Sequence, residues 1–241
     1  MLYATWSEYK VIPISDINPA KNIPYVTRLF IFATIIVYLL IQPKDAAELF
    51  NFFYEFSAIP CEIQIGRPIS ANQFYSNNCM ALVDTVIFED KNIFASLLTA
   101  NFLHANLLHL VGNLWSFWIF GNNIEDKLGI FKFIFFLIIV SIGSIGVHIF
   151  LNYSDLNPVV GASGVVSALM GAYLYRFPNA KLLVLVPFGI IFPTTLKAKY
   201  FMIFWFISQV FIALQNNNIS WEAHLGGFVI GYLSMKLLNN R

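Results

Sequence analysis

Charge is what this chain has least of. Asp, Glu, Lys and Arg make up 11% of its 241 residues, against roughly a quarter in a soluble domain. So little polar surface cannot cover a folded chain of this length in water, which excludes a free-standing soluble enzyme. The net charge of +1 says nothing about nucleic acid, but no basic cluster suggests such a partner, and none is expected. Cysteine is almost missing: Cys61 and Cys79 fall in one polar loop. They are either two separate thiols or a single bond, the second only where that loop faces an oxidising compartment. The N-terminal MLYATWSEYKVIPISD lacks an apolar run after a basic start, so no cleavable signal peptide is expected and the first membrane helix is expected to direct insertion. The lack of a transit peptide points to a prokaryotic plasma membrane.

What is present is hydrocarbon. Hydrophobic residues reach 58% and aromatics 17%, with a mean hydropathy of +0.69. The expected class is an all-α polytopic membrane protein, a single membrane domain over 1–241 with a short cytoplasmic segment 1–24. A span needs roughly 20 mostly apolar residues. Six are expected, at about 25–42, 103–120, 131–151, 163–175, 200–214 and 223–238, with a charged turn (Glu125, Asp126, Lys127) after the second. The first loop, 43–95, is too polar to cross. Within it Leu49, Phe52, Phe53 and Phe56 share a helical face, either in the headgroup region or on the protein's own outer surface. The apolar stretch 182–196 is short, and Pro187 and Pro193 would break a helix; it is expected to dip and return on one side. With both termini in the cytoplasm, eleven of the fourteen Lys and Arg residues lie inside, leaving Lys44, Arg67 and Lys91 outside, as the positive-inside rule requires.

Polar groups inside such spans are costly and mark function. Ser163, in VVGASGVVSALMG, and His224 fall at similar depth near the outer ends of the fourth and sixth spans. Ser163, Ser167 and Gly171 form a small-residue stripe, and Gly227 and Gly231 form another; facing each other, they would let two backbones approach closely. A serine needs a neighbouring base, and an unprotonated His224 can serve. A tetrahedral intermediate needs hydrogen-bond donors. Unpaired N–H groups at the start of the fourth span, with Gly161 and Gly164 permitting close approach, supply some. His109 and Asn113, four apart on one helical face, supply others. His148 is expected to be structural or interfacial.

These residues resemble the rhomboid family of intramembrane serine proteases. The resemblance is carried by His104, His109 and Asn113 in the second span, Gly161-Ala162-Ser163-Gly164 opening the fourth, and Ala223-His224-Leu225-Gly226-Gly227 in the sixth. Phe120-Gly121 with Glu125 and Gly129 add to it. It implies a six-helix bundle with a long interfacial first loop and a Ser163–His224 dyad without a third acid. It also implies a water-accessible cavity opening outward. His109 and Asn113 would serve the oxyanion, and His104 would tether the first loop. Transmembrane protein substrates, cut within the lipid bilayer, are the implied partners; no cofactor and no metal are implied. Ala95 and Ser96 stand where many members have Trp-Arg, and Ser167 stands where some carry a tyrosine that stacks on the base.

Two other functions fit parts of the chain. A catalytically inactive rhomboid-like protein binding membrane clients would not need the intact serine and histidine. A metal transporter using His104, His109, His148 and His224 would leave the GASG sequence unexplained and would lack an intramembrane carboxylate. No pattern encodes an oligomeric state.

Overall fold

A computed structural model describes residues 12–18, 20–188, 190–214 and 220–238. Segment 1–11 with Lys10, and 239–241 with Arg241, both assigned above to the cytoplasm, lie outside the described residues. Six long helices dominate. They are α1 (Tyr25–Ile36, extended by a π-helical turn, Val37–Ile41), α6 (Leu107–Leu128), α7 (Ile130–Leu151), α8 (Ser163–Arg176), α9 (Ala198–Leu214) and α10 (Trp221–Leu238). Short helices α2 (Ala46–Phe56), α3 (Pro60–Ile65), α4 (Ala71–Tyr75) and α5 (Ser96–Thr99) lie in and just after the first loop. By length and composition α7 is long and apolar enough to cross a membrane, while Tyr25–Ile41 and Ala198–Phe211 are apolar but shorter. Large apolar side chains stand exposed on α1 (Leu29, Phe32), α7 (Phe135, Ile138), α9 (Ile207, Val210) and α10 (Val229, Leu233). Faces this apolar suit lipid rather than water.

The helix ends follow local chemistry. Asn106 caps α6 by accepting from the His109 amide at 2.9 Å, which satisfies one of the free N–H groups of a first turn. The expected charged turn after the second span is instead helical: Glu125, Asp126 and Lys127 belong to the last turn of α6, and the chain reverses at Gly129, whose φ is +73°. The buried Glu125 accepts from the Val26 and Thr27 amides, both at 2.8 Å, and from the Thr27 hydroxyl at 2.7 Å. A carboxylate at the start of α1 suits the partial positive charge of that helix end.

The centre of the bundle is α8, in which every residue from Gly164 to Tyr173 is buried. Its tightest neighbour is α10. A Cβ built on Gly231 would lie 1.9 Å from the Ala168 carbonyl oxygen, and one on Gly171 would lie 2.0 Å from that of Phe228. The two backbones therefore touch, the packing that small residues permit where lipid gives no hydrophobic drive. The seam on α8 runs through Gly164, Ala168 and Gly171, one position round from the expected Ser163 and Ser167. A hydroxyl in the seam would hold the backbones apart, and its removal from the seam leaves Ser163 beside α10 rather than beneath it.

The fold is not all-α. Strands β1 (Ile12–Asp16), β2 (Lys181–Phe188) and β3 (Ile190–Lys197) make an antiparallel sheet in that order, with Asp16 opposite Leu182 and Lys181 opposite Lys197. The dipping stretch is thus a β-hairpin. Its prolines sit in strands where they would break a helix: Pro187 pairs with Ile191 and Pro193 with Leu185, and Pro193 lies in β3, an edge strand of the sheet, where proline is tolerated. Leu182 and Val184 are buried in the main core. β1 is strapped to the helices by Asp16, which accepts from Asn123 (2.7 Å) and Tyr173 (3.0 Å), and by the Trp115 indole, which donates to the Pro13 carbonyl at 3.0 Å.

The first loop has a small core of its own, made of Tyr54, Ile59, Cys61, Ile69, Cys79 and Leu156. Cys61 and Cys79 are joined in a disulfide, which answers the open question of their state. α2 turns Phe53 and Tyr54 inward and leaves Phe50 and Phe56 exposed. The loop grips the segment leading to α8: the Val159 amide donates to Ala58 O at 2.8 Å, and the Cys61 amide donates to Asp155 O at 2.9 Å.

Candidate functional site

Ser163 is the first residue of α8 and follows a backbone that only glycine takes readily. Gly161 has φ of +109°, and a Cβ there would lie 2.6 Å from His109 Cε1 and 3.4 Å from Asn113 Nδ2. Any side chain at 161 would therefore be strained and would collide with His109. The Gly161 amide donates to Ala100 O at 2.9 Å, which fixes the turn. This geometry sets His109 and Asn113 of α6 against the peptide two residues before Ser163. Asn113 Nδ2 is a buried side-chain donor without a hydrogen-bond partner among the described residues. Gly164 lies in the α8–α10 seam, where a Cβ would meet the Ser144 hydroxyl at 2.6 Å.

His224, on α10, is buried. Its Nε2 is 2.8 Å from Ser163 Oγ, and its Nδ1 is 2.7 Å from Gln209 Oε1 on α9. Three helices thus meet at one imidazole, and a hydroxyl proton at Ser163 has a nitrogen acceptor within reach. Ser167 does not approach the ring; its hydroxyl donates to Ser163 O at 2.7 Å.

His104 lies in the chain before α6, not inside the second span expected at about 103–120. Its ring Nδ1 is 3.4 Å from Phe102 O, its Nε2 has no hydrogen-bond partner among the described residues, and the ring lies edge-on to His109, centroids 5.1 Å apart. The bonds to the chain just before the first loop come from its backbone: Gln42 Nε2 donates to His104 O at 2.7 Å, and the His104 amide donates to Gln42 Oε1 at 3.1 Å. The first loop itself is tied to the segment after it by Thr99, whose hydroxyl donates to Phe56 O at 2.6 Å.

Next to the site lies a polar cluster that spacing alone does not reveal. His148 Nδ1 is 3.1 Å from Glu222 Oε2, and Asn152 Nδ2 donates to Glu222 Oε1 at 3.1 Å. His148, expected to be structural or interfacial, thus has as its partner a buried carboxylate, Glu222. Among the described residues no three His, Cys, Asp or Glu side chains are grouped as a metal site.

A family model described as "Rhomboid domain" matches residues 91–241, which include every residue of this site. The chain belongs to the rhomboid family. Similar relatives include "Rhomboid protease GlpG" of Yersinia pestis, 33% identical over 136 residues that cover 55% of this chain and 44% of the relative. "Rhomboid protein 1, mitochondrial" of Saccharomyces cerevisiae is 29% identical over 147 residues, 57% of this chain and 40% of the relative. The matched region is less than half the length of either relative. In this rhomboid the site holds two departures from the family pattern. Where Trp-Arg is common, Ser96 instead donates to Ile93 O at 2.6 Å. Where a tyrosine sometimes stacks on the base, Ser167 turns away and Gln209 approaches the imidazole from the other side. Gln209 escaped the sequence reading because it belongs to no motif, although a lone amide in an otherwise apolar span is itself a signal.

Proposed function

We propose that this rhomboid is an intramembrane serine endopeptidase that cuts transmembrane segments of other membrane proteins. The observation that carries the reading is the 2.8 Å contact between Ser163 Oγ and His224 Nε2. In the proposed reaction Ser163 Oγ attacks the peptide carbonyl carbon while its proton passes to His224 Nε2. The oxyanion is received by donors around Ser163: the Nδ2 of Asn113, the His109 ring and the backbone N–H groups at the start of α8 around Gly164. His224 then gives its proton to the departing amine, and a water that it activates releases the acyl group from Ser163.

Six helices supply the spans in this proposal: α1 with its π-helical turn, α6, α7, α8, α9 and α10, with the first loop 43–95 as part of the same domain. Both termini are assigned to the cytoplasm. The distribution of Lys and Arg supports that orientation, and so does the Cys61–Cys79 bond in the loop assigned to the outer, oxidising side. Depth follows from length. α8 has 14 residues, about 21 Å at 1.5 Å per residue, against a hydrocarbon core of about 30 Å. A helix that reaches the inner face at Arg176 therefore starts Ser163 below the outer surface.

The test is cleavage in lipid vesicles of a reporter whose transmembrane segment carries Gly and Pro near its outer end. The native chain is expected to cut it with or without a chelator, and Ser163→Ala is expected to lose at least about a thousandfold in rate. Cleavage that survives Ser163→Ala, or that stops on chelation, would overturn the assignment.

A further inference from the structure

We infer that Gln209 is a positioning residue for His224, so that the working unit is Ser163–His224–Gln209 rather than a dyad. The inference rests on the reading of Ser163 as nucleophile and His224 as base. A neutral imidazole has one N–H and one bare nitrogen. To take the Ser163 proton, Nε2 must be bare, so the ring's own hydrogen sits on Nδ1 and requires an acceptor. His224 is buried, where a donor without a partner is costly. The Gln209 carbonyl oxygen stands 2.7 Å from Nδ1, and Gln209 is itself fully buried on α9, among side chains that are mostly apolar.

The neighbouring polar groups are committed elsewhere. Glu222 is engaged by His148 and Asn152, and the Ser167 hydroxyl donates to the Ser163 carbonyl. Gln209 therefore fixes the tautomer and the plane of the ring, the part an aspartate plays in a charged triad and an asparagine in its cysteine counterpart. It does so with a dipole and no charge. It also anchors the base on α10 to a third helix, α9, in place of the aromatic stacking that Ser167 cannot provide.

The experiment uses the full chain in detergent and a fluorophosphonate probe, with the labelling rate followed against probe concentration. Gln209→Met keeps the length of the side chain and removes the acceptor; Gln209→Glu keeps an acceptor. The maximal labelling rate of Gln209→Met is expected to fall by about tenfold or more, with the half-saturating probe concentration unchanged. Gln209→Glu is expected to label faster than Gln209→Met, a difference that mere packing would not produce. On the native protein, nitrogen-15 NMR of labelled histidine is expected to find His224 protonated at Nδ1 and bare at Nε2, a measurement that does not depend on a variant folding. If the native chain labels and Gln209→Met labels equally fast, or if the proton resides on Nε2, this inference alone is overturned. If the native chain never labels, the assignment of Ser163 fails and this inference falls with it.

Discussion

A hydroxyl becomes a nucleophile when its proton has somewhere to go, and single contacts decide whether it does. At Ser163 the acceptor is one imidazole nitrogen, and the ring's other nitrogen meets an amide that no motif would have singled out. Away from the bundle centre, Asp16 is a second residue whose surroundings set its chemistry. Burial pushes its carboxyl from 3.8 up to about 6, with the hydrogen bonds from Tyr173 and Asn123 offsetting part of the rise. Between those values the folded chain holds a proton that the unfolded chain has released. The stabilisation linked to this group is therefore complete below pH 3.8 and is lost as pH rises through about 6. In detergent the melting temperature should accordingly fall between pH 5 and pH 7, and Asp16→Asn should flatten that fall. An unchanged slope in the variant would assign it to other groups.

Whole elements differ in how plainly their sequences announce them. The six long helices were legible because continuous apolar runs bounded by Pro, Gly or charged residues leave few alternatives. The dipping hairpin was legible as an interruption but not as strands. Its residues are apolar on both faces, so no alternation marks a sheet, and its partner β1 lies more than 160 residues away in the chain and carries a proline. The seam between α8 and α10 was legible as small residues, yet a four-residue repeat fits Ser163, Ser167 and Gly171 as well as the true row. Only packing selects the rotation.

The first loop was legible only as polar, because its fold depends on pairings distant in sequence. One of these is a buried ion pair, Lys91 Nζ to Glu62 Oε2 at 2.5 Å, with both side chains 1% exposed. Burial pushes Glu62 up and Lys91 down, and their mutual attraction opposes both shifts. Lys91 also donates to Tyr54 O at 2.6 Å, so it braces α2. Lys91→Met should destabilise the protein by about 3 kcal/mol or more, because it strands a buried carboxylate, while Lys91→Met combined with Glu62→Gln should recover most of that loss. Thermal unfolding of the two variants checks this. A double variant no more stable than the single one would contradict it.

At the scale of the whole molecule, the site exists only because distant parts of the chain converge. Ser163 comes from α8, His224 from α10, Gln209 from α9, and His109 and Asn113 from α6, with the first loop holding the segment that enters α8. The residue types were legible from spacing and from family resemblance. Their distances were not, since the glycine contacts at 161, 164, 227 and 231 set them. The most direct measurement is the mass of the full chain after treatment with a fluorophosphonate, followed by mapping of the modified peptide. One adduct on Ser163 is expected, absent from Ser163→Ala and strongly slowed in His224→Ala. An adduct on another residue, or labelling of Ser163 at the native rate without His224, would contradict the account.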